Sequence, residues 1–208
     1  VYVPRFNVMP EAELRPLVEA VGSAELITVD ADGLPQATRL PVIWSGDRLV
    51  FHLAFANPHW RTIEPGSPAL AVVTGPEGYV SPSWYATKAE HGRVVPTWNY
   101  SAIHVRGRAT VHRDPDWLRA AVTDLTVRHE EHRADPWQVG DAPESYVAQQ
   151  LKATVGVELE IQTVEAKAKR SQNRSEADRA GVVAGLEGEP GLTGRALAAQ
   201  MREDLRRS

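Results

Sequence analysis

Between Ala24 and Phe55 the chain runs through three stretches of apolar–polar alternation, AELITVD, LPQATRLPVIW and RLVFHLAF, broken only by Asp30-Ala31-Asp32-Gly33 and Ser45-Gly46-Asp47. Successive side chains of a strand face opposite ways, and Asp- and Gly-rich turns reverse the chain within a few residues, so this pattern predicts three consecutive antiparallel strands. Strand character returns in ALAVVTG, GYVSPSWY, VPTWNYSAIHVRGRATVH and VGVELEIQTVEAKAK, for six or seven strands in all. Hairpin connections with few intervening helices favour a mainly β (α+β) fold, an antiparallel closed or split β-barrel with peripheral helices, over a doubly wound α/β sheet. The absence of GxGxxG and P-loop signatures agrees.

Helices are expected at the margins. PEAELRPLVEAVG places Leu14, Leu17, Val18 and Val21 on one face, with Pro16 to bend it and Gly22 to stop it. Asn57-Pro58 and Asp114-Pro115 each join a favoured cap to proline at the first helical position, predicting a short helix over NPHWRTIE and a longer one over DPDWLRAAVTDLTVRHEEH. SYVAQQLKATV reads as helical, and SEADRAGVVAGLEG and TGRALAAQMREDLRR form two further helices around Glu189-Pro190-Gly191. The organisation predicted is one domain over residues 1–170 and a helical C-terminal extension over 171–208.

Composition narrows the chemistry. With 23 Lys+Arg against 27 Asp+Glu, a net charge of −4 argues against a general nucleic-acid coat protein. From residue 171 onward Arg174, Arg179, Arg195, Arg202, Arg206 and Arg207 are balanced by Glu176, Asp178, Glu187, Glu189, Glu203 and Asp204, so the two terminal helices read as packing or dimerisation elements rather than a DNA reader. No cysteine is present, which excludes disulfides, thiolate nucleophiles, Cys-based zinc sites and iron–sulfur clusters. The longest apolar run, Ala69 to Val73, is far short of the roughly 20 residues a membrane helix needs, and the N-terminus lacks a signal-peptide core, so a soluble cytoplasmic protein is expected. Six tryptophans against three phenylalanines direct attention to a binding site or a subunit seam.

Three segments carry candidate chemistry. At HLAFANPHW a strand meets a helix start, where unpaired N–H groups attract anions and Arg61 adds a charge; a helix that is merely capped by Asn57 is the alternative. SPSWY and VPTWNY, two Trp-plus-Tyr segments, offer walls for a flat ring, with Ser83, Thr97 and Asn99 at its edge, or else a packed strand pair or dimer seam. AKAKRSQNR gathers Lys167, Lys169, Arg170 and Arg174 with Ser171, Gln172 and Asn173 just after the last strand, a phosphate-binding set or a solvated basic loop. His129 and His132 share a helix face without a third metal ligand, and no metal site is expected.

These segments, together with YVPRFN, GLPQATRLP, DAPESYV and the continuation SEADRAGV, resemble the PaiB-type family of FMN-binding negative transcriptional regulators over essentially the whole chain. VSPSWY, VPTWNY and KRSQNR carry the resemblance most specifically. It implies a split β-barrel of the flavin-reductase and pyridoxamine-phosphate-oxidase type, a homodimer, and FMN at the subunit interface. On that basis residues 1–170 form the flavin-binding domain. Thr38, Arg39, Leu40, Asn57 and Trp60 are expected near the cofactor from one side, and Trp84, Trp98, Asn99, Lys169, Ser171, Gln172 and Arg174 from the other. Two positions depart from the family pattern: Arg39 stands in place of His, and Phe55 in place of Arg. If that arginine contacts the phosphate, FMN is expected to be weak or absent unless Arg39 or Arg61 takes over.

The leading function is therefore an FMN-binding, PaiB-like regulator. An FMN-dependent oxidoreductase is the alternative from another class, although Tyr85, His52 and His104 are its sole tempting acid–base residues and each has a structural reading. A direct DNA-binding repressor is disfavoured by charge.

Overall fold

In the computed structural model, which describes residues 1–207, a helix α1 (Glu11–Val21) precedes three consecutive strands, β1 (Ser23–Val29), β2 (Pro35–Ser45) and β3 (Arg48–Ala54). Then follow β4 (Ser67–Val80), a one-turn α2 (Lys88–His91), β5 (Thr97–His112), α3 (Pro115–Glu130), α4 (Glu144–Lys152), β6 (Thr154–Lys169), α5 (Glu176–Gly188) and α6 (Leu192–Arg207). Among the described residues the six strands close into one barrel in the order β1-β2-β3-β6-β5-β4, the mainly β, split-barrel class expected. No helix of the described residues is long and apolar enough to cross a membrane.

Local chemistry explains the meander. At the first hairpin the Asp30 carboxylate accepts the backbone N–H groups of Asp32 (3.0 Å) and Leu34 (2.9 Å), and Gly33 supplies the positive φ of 80° that closes the turn. This sets Val29 opposite Pro35 and Ser23 opposite Pro41. Gly46, at φ 58°, turns β2 into β3, where Ser45 faces Arg48. Closure comes from β1 on β4 (Glu25 opposite Val72) and β3 on β6 (Arg48 opposite Glu160).

The chain forms two compact units. One comprises Arg15–Val73 and His104–Val164. Its interior is the alternate face of the strands: Leu26 on β1, Leu49, Phe51 and Leu53 on β3, Ala71 and Val73 on β4, and Val155, Val157 and Leu159 on β6 are all buried. Each of these side chains other than Ala71 contributes about 1.5–3 kcal/mol by leaving water. Two glycines set close approaches here. A Cβ at Gly107 would stand 1.9 Å from the Glu160 carbonyl oxygen, and one at Gly156 would stand 2.0 Å from the Trp117 ring.

The other unit comprises Val1–Leu14, Thr74–Ile103 and the chain from Glu165 onward. Here Val182, Val183 and Leu186 of α5 and Leu197, Ala198 and Met201 of α6 bury one core with Val80 and Tyr85. The tail helices are thus packing elements within this unit.

Two local expectations change. ALAVVTG and GYV are one strand, β4, which continues through Gly75 to Gly78. SPSWY is not a strand: the Ser81 side chain accepts from the Ser83 N–H, Pro82 has no N–H for a ladder, and Pro82–Trp84 form a 3-10 turn. The lysines of AKAK lie on β6, as the alternation of VGVELEIQTVEAKAK has them, and the rest of the basic segment follows the strand.

Candidate functional site

In the unit built from the N-terminus, Thr74–Ile103 and the chain from Glu165, a cavity of about 360 Å³ is lined by Tyr85, Thr97, Asn99, Lys167, Lys169, Ser171 and Arg174, with Phe6, Asn7, Tyr100 and Asn173 among its other walls. Strand β6 ends here, and its alternation decides which side chains face in. Ala166 and Ala168 are buried on one face, and Lys167 and Lys169 line the cavity from the other.

Three cations line the cavity and no carboxylate does. Lys169 Nζ donates to the Trp98 carbonyl oxygen at 2.7 Å and to the Thr97 hydroxyl. Lys167 Nζ donates to the Tyr2 carbonyl oxygen at 3.0 Å and lies 5.3 Å from the Tyr100 ring centre. The Arg174 guanidinium rests on the Tyr85 ring at 4.8 Å, a contact worth about 0.5–1 kcal/mol that also fixes its direction. Burial, and then the neighbouring Lys167 charge, hold the Lys169 ammonium below its ordinary pKa. An anion would offset the charge of such a set.

Asn99 adds a second demand. Fully buried, it donates from Nδ2 to Ser171 Oγ at 2.9 Å, with Met201 Sδ at 3.7 Å, and its Oδ1 has no partner. Whichever amide end faces Ser171, the other is left open, and a buried polar end without a partner costs about 1–3 kcal/mol. The ligand that fits is an anion with hydrogen-bonding groups of its own. FMN meets both conditions, through its phosphate and through its ribityl hydroxyls and ring N–H.

The turn that delivers these groups is strained. Ser171 has φ 61°, the left-handed region that a non-glycine residue enters at about 1–3 kcal/mol. Gln172 turns its side chain back to accept the Arg170 N–H at 2.7 Å and to donate to the Ala168 carbonyl oxygen, and Arg174 N–H closes on the Ser171 carbonyl at 3.0 Å.

Of the residues expected on this side, Asn99, Lys169, Ser171 and Arg174 come together, and Gln172 closes the turn between them. Trp84 and Trp98 do not line the cavity. Trp84 packs on α5 against Gly181 and Gly185, and Trp98 is half exposed with its indole N–H on Glu77 at 3.1 Å. Lys167 of the basic segment, Thr97 of the ring-edge set and Tyr85 of SPSWY belong to the lining too. The period-two spacing of Lys167 and Lys169 was the signal for the first.

The remaining five belong to the barrel unit. Buried His59 lies between two hydroxyls, Thr28 Oγ1 at 2.8 Å from Nε2 and Thr38 Oγ1 at 2.8 Å from Nδ1. Burial holds its pKa below the ordinary value, which favours a neutral ring with one donating and one accepting nitrogen. Asn57 Oδ1 accepts the His59 N–H at 3.0 Å, capping a 3-10 helix of five residues, Pro58–Thr62. The cap is the plain alternative of the sequence reading, with no long dipole behind it. Trp60 Nε1 donates to the Phe55 carbonyl at 2.9 Å, and the two rings, 5.2 Å apart, share the guanidinium groups of Arg61 and Arg113 at 4.7–5.6 Å. Arg113 was not foreseen in this cluster. Arg39 is engaged at the surface, with Glu25 at 3.1 Å and Ser23 Oγ at 3.0 Å, and Leu40 is buried.

Comparison with known proteins agrees with this architecture. Residues 1–163 match the family described as "Putative FMN-binding domain". The chain is 30% identical over 211 aligned residues to protease synthase and sporulation protein PAI 2 of Bacillus subtilis, covering 99% of each. Among solved structures, a FAD- and heme-binding protein of Mycobacterium smegmatis matches with a TM-score of 0.60 at 22% identity, over 82% of this chain and 77% of that one. A conserved hypothetical protein of Mycobacterium tuberculosis matches at 0.61 and 15%, over 84% and 94%. At these identities the two structures establish the fold. The family match over residues 1–163 and the full-length relationship to PAI 2 establish that the chain belongs to the PaiB-type family of FMN-binding proteins.

Proposed function

We propose that this PaiB-like regulator binds FMN with the phosphate in the cavity among Lys167, Lys169 and Arg174. The observation that carries this reading is a cavity with three cations, no lining carboxylate and a buried asparagine with one open amide end. Bound FMN supplies reversible one- or two-electron chemistry. The chain's own residues would do the rest. Lys169 and Arg174 neutralise the phosphate, Asn99 meets a hydrogen-bonding group of the flavin, and Tyr85 holds the Arg174 fork in place. Thr38, Arg39, Leu40, Asn57 and Trp60 are assigned to the flavin on family grounds, with Arg61 and Arg113 as the cations that stand beside Phe55. The protein is proposed to act as a homodimer.

Direct DNA binding is not the favoured mode. Arg202 pairs with Glu187, and Arg206 and Arg207 pair with Glu203, so much of the positive charge of the tail is neutralised within it.

Titration of the apo-protein with FMN and with riboflavin, read by flavin and tryptophan fluorescence, tests the assignment. FMN should bind at least tenfold more tightly than riboflavin. Lys169→Ala and Arg174→Ala should each lower FMN affinity about tenfold or more and leave riboflavin nearly unaffected, as expected for charge-assisted phosphate contacts. Unchanged FMN affinity in both variants would remove the phosphate from this cavity.

A further inference from the structure

Arg170 sits inside the cationic segment yet contributes nothing to the cavity lining. It is buried, 7% exposed, and its guanidinium is shared between two carboxylates from opposite ends of the chain: Glu13 Oε2 on α1 at 2.7 Å and Asp204 Oδ2 on α6 at 3.0 Å. The Glu13 contact is a directed hydrogen bond, whereas the approach of Nε to Asp204 is a contact of charges without hydrogen-bond alignment. Arg179 and Arg207 also act on Asp204. The residue before Arg170 is Lys169, the residue after it is the strained Ser171, and its own N–H is taken by Gln172. A left-handed serine persists only where its surroundings over-determine it. Asn99 holds the Ser171 hydroxyl and the Arg174 N–H its carbonyl, and Arg170, fixed at its side chain by two carboxylates and at its backbone by Gln172, anchors the turn from the other side.

We propose that Arg170, clamped by Glu13 and Asp204, is a positioning residue for anion binding: it holds the turn at Ser171 so that Lys169 and Arg174, on either side of that turn, present their charges to one phosphate. The proposal rests on the reading of this cavity as the flavin phosphate site. It adds three residues, Glu13, Arg170 and Asp204, that touch no ligand and act through the backbone between two that do. The clamp also explains the placement of charge along the segment. Two carboxylates are spent on the one cation that faces away from the cavity, and none is placed against the three that line it.

The experiment compares the full-length protein with Glu13→Gln, Asp204→Asn and the double variant, which keep the size of each side chain and remove its charge. FMN and riboflavin affinities are measured side by side, together with the thermal midpoint. The expected result is a fall of about tenfold in the FMN-to-riboflavin affinity ratio for the double variant, with riboflavin affinity unchanged and a smaller effect in each single variant. If the double variant does not fold, Glu13→Gln alone carries the same readout. A wild-type protein that prefers FMN, with variants that keep the preference, overturns the role of Arg170 and leaves the phosphate site standing. Equal losses for FMN and riboflavin also overturn it, because the clamp would then be merely structural. A wild-type protein that does not distinguish FMN from riboflavin removes the phosphate site and the proposal together.

Discussion

The Trp84 indole lies over Gly185 of α5 so closely that a Cβ there would stand 2.2 Å from a ring carbon. One turn earlier, a Cβ at Gly181 would stand 2.0 Å from the Trp84 carbonyl oxygen. Alanine normally gains about 1 kcal/mol over glycine inside a helix, and overpacking typically costs about 1–3 kcal/mol, so the net sign depends on the room available. Gly185→Ala is expected to destabilise the protein by up to about 2 kcal/mol once the helix gain is subtracted. Gly181→Ala should cost more, because a backbone carbonyl cannot rotate aside. Gly188, in the same helix, has open space around it, and Gly188→Ala should be neutral or slightly stabilising. Urea unfolding midpoints of the three variants give the comparison.

If Lys169 holds the flavin phosphate as proposed, phosphate discrimination should depend on pH. Its folded-state pKa lies below the ordinary 10.5, with burial the first cause and Lys167 the second. A phosphate monoester is already essentially a dianion above about pH 7, so a further change in affinity at alkaline pH reports the protein. As pH rises through the lowered pKa, Lys169 loses its charge, and the FMN-to-riboflavin affinity ratio should fall before the unfolded-state value is reached. The same shift means that stability carries a cost at neutral pH that is relieved as pH climbs toward 10.5. Parallel titrations from neutral to alkaline pH check the first effect, and a flat ratio would detach Lys169 from the phosphate.

Acid should loosen the protein through its histidines. Burial is the first cause holding His52, His59 and His112 below their ordinary pKa, so the folded state resists protonation where the unfolded chain accepts it. That stability is present above about pH 6.5 and is lost as pH falls through the lowered values. The raised pKa of Asp204, set first by burial, works in the opposite direction at lower pH. The thermal midpoint should drop between about pH 7.5 and 5.5. In His59→Gln the midpoint should be lower at the upper pH, and the drop on acidification shallower.

Where a local chemical rule governed, the fold was legible in the sequence. Asn57 and Asp114 cap their helices as read, accepting N–H groups at 3.0 and 2.9 Å, and Gly33 and Gly46 close the two hairpins. SPSWY misled because Trp and Tyr favour strands in general, whereas Ser81 and Pro82 here impose a turn. Within the candidate site, Lys169, Ser171 and Arg174 were visible in the basic segment AKAKRSQNR, and Asn99 as a hydrogen-bonding residue of VPTWNY. What stayed hidden needs pairing across the chain. Glu13 and Asp204 look like ordinary helix-surface carboxylates until the fold brings both to Arg170. Arg113 reads as a loop cation until it meets Phe55 and Trp60.

The matched family region ends at residue 163, but the core around Val80 and Tyr85 is completed by six side chains from α5 and α6, Val182, Val183, Leu186, Leu197, Ala198 and Met201. A fragment cut at that family boundary would strip Val80 and Tyr85 of these neighbours. It would also discard Lys167, Lys169, Ser171 and Arg174 at a stroke. For expression, crystallisation or grafting, the smallest unit that keeps the cation cavity is one that retains α6 as far as Met201 and Asp204.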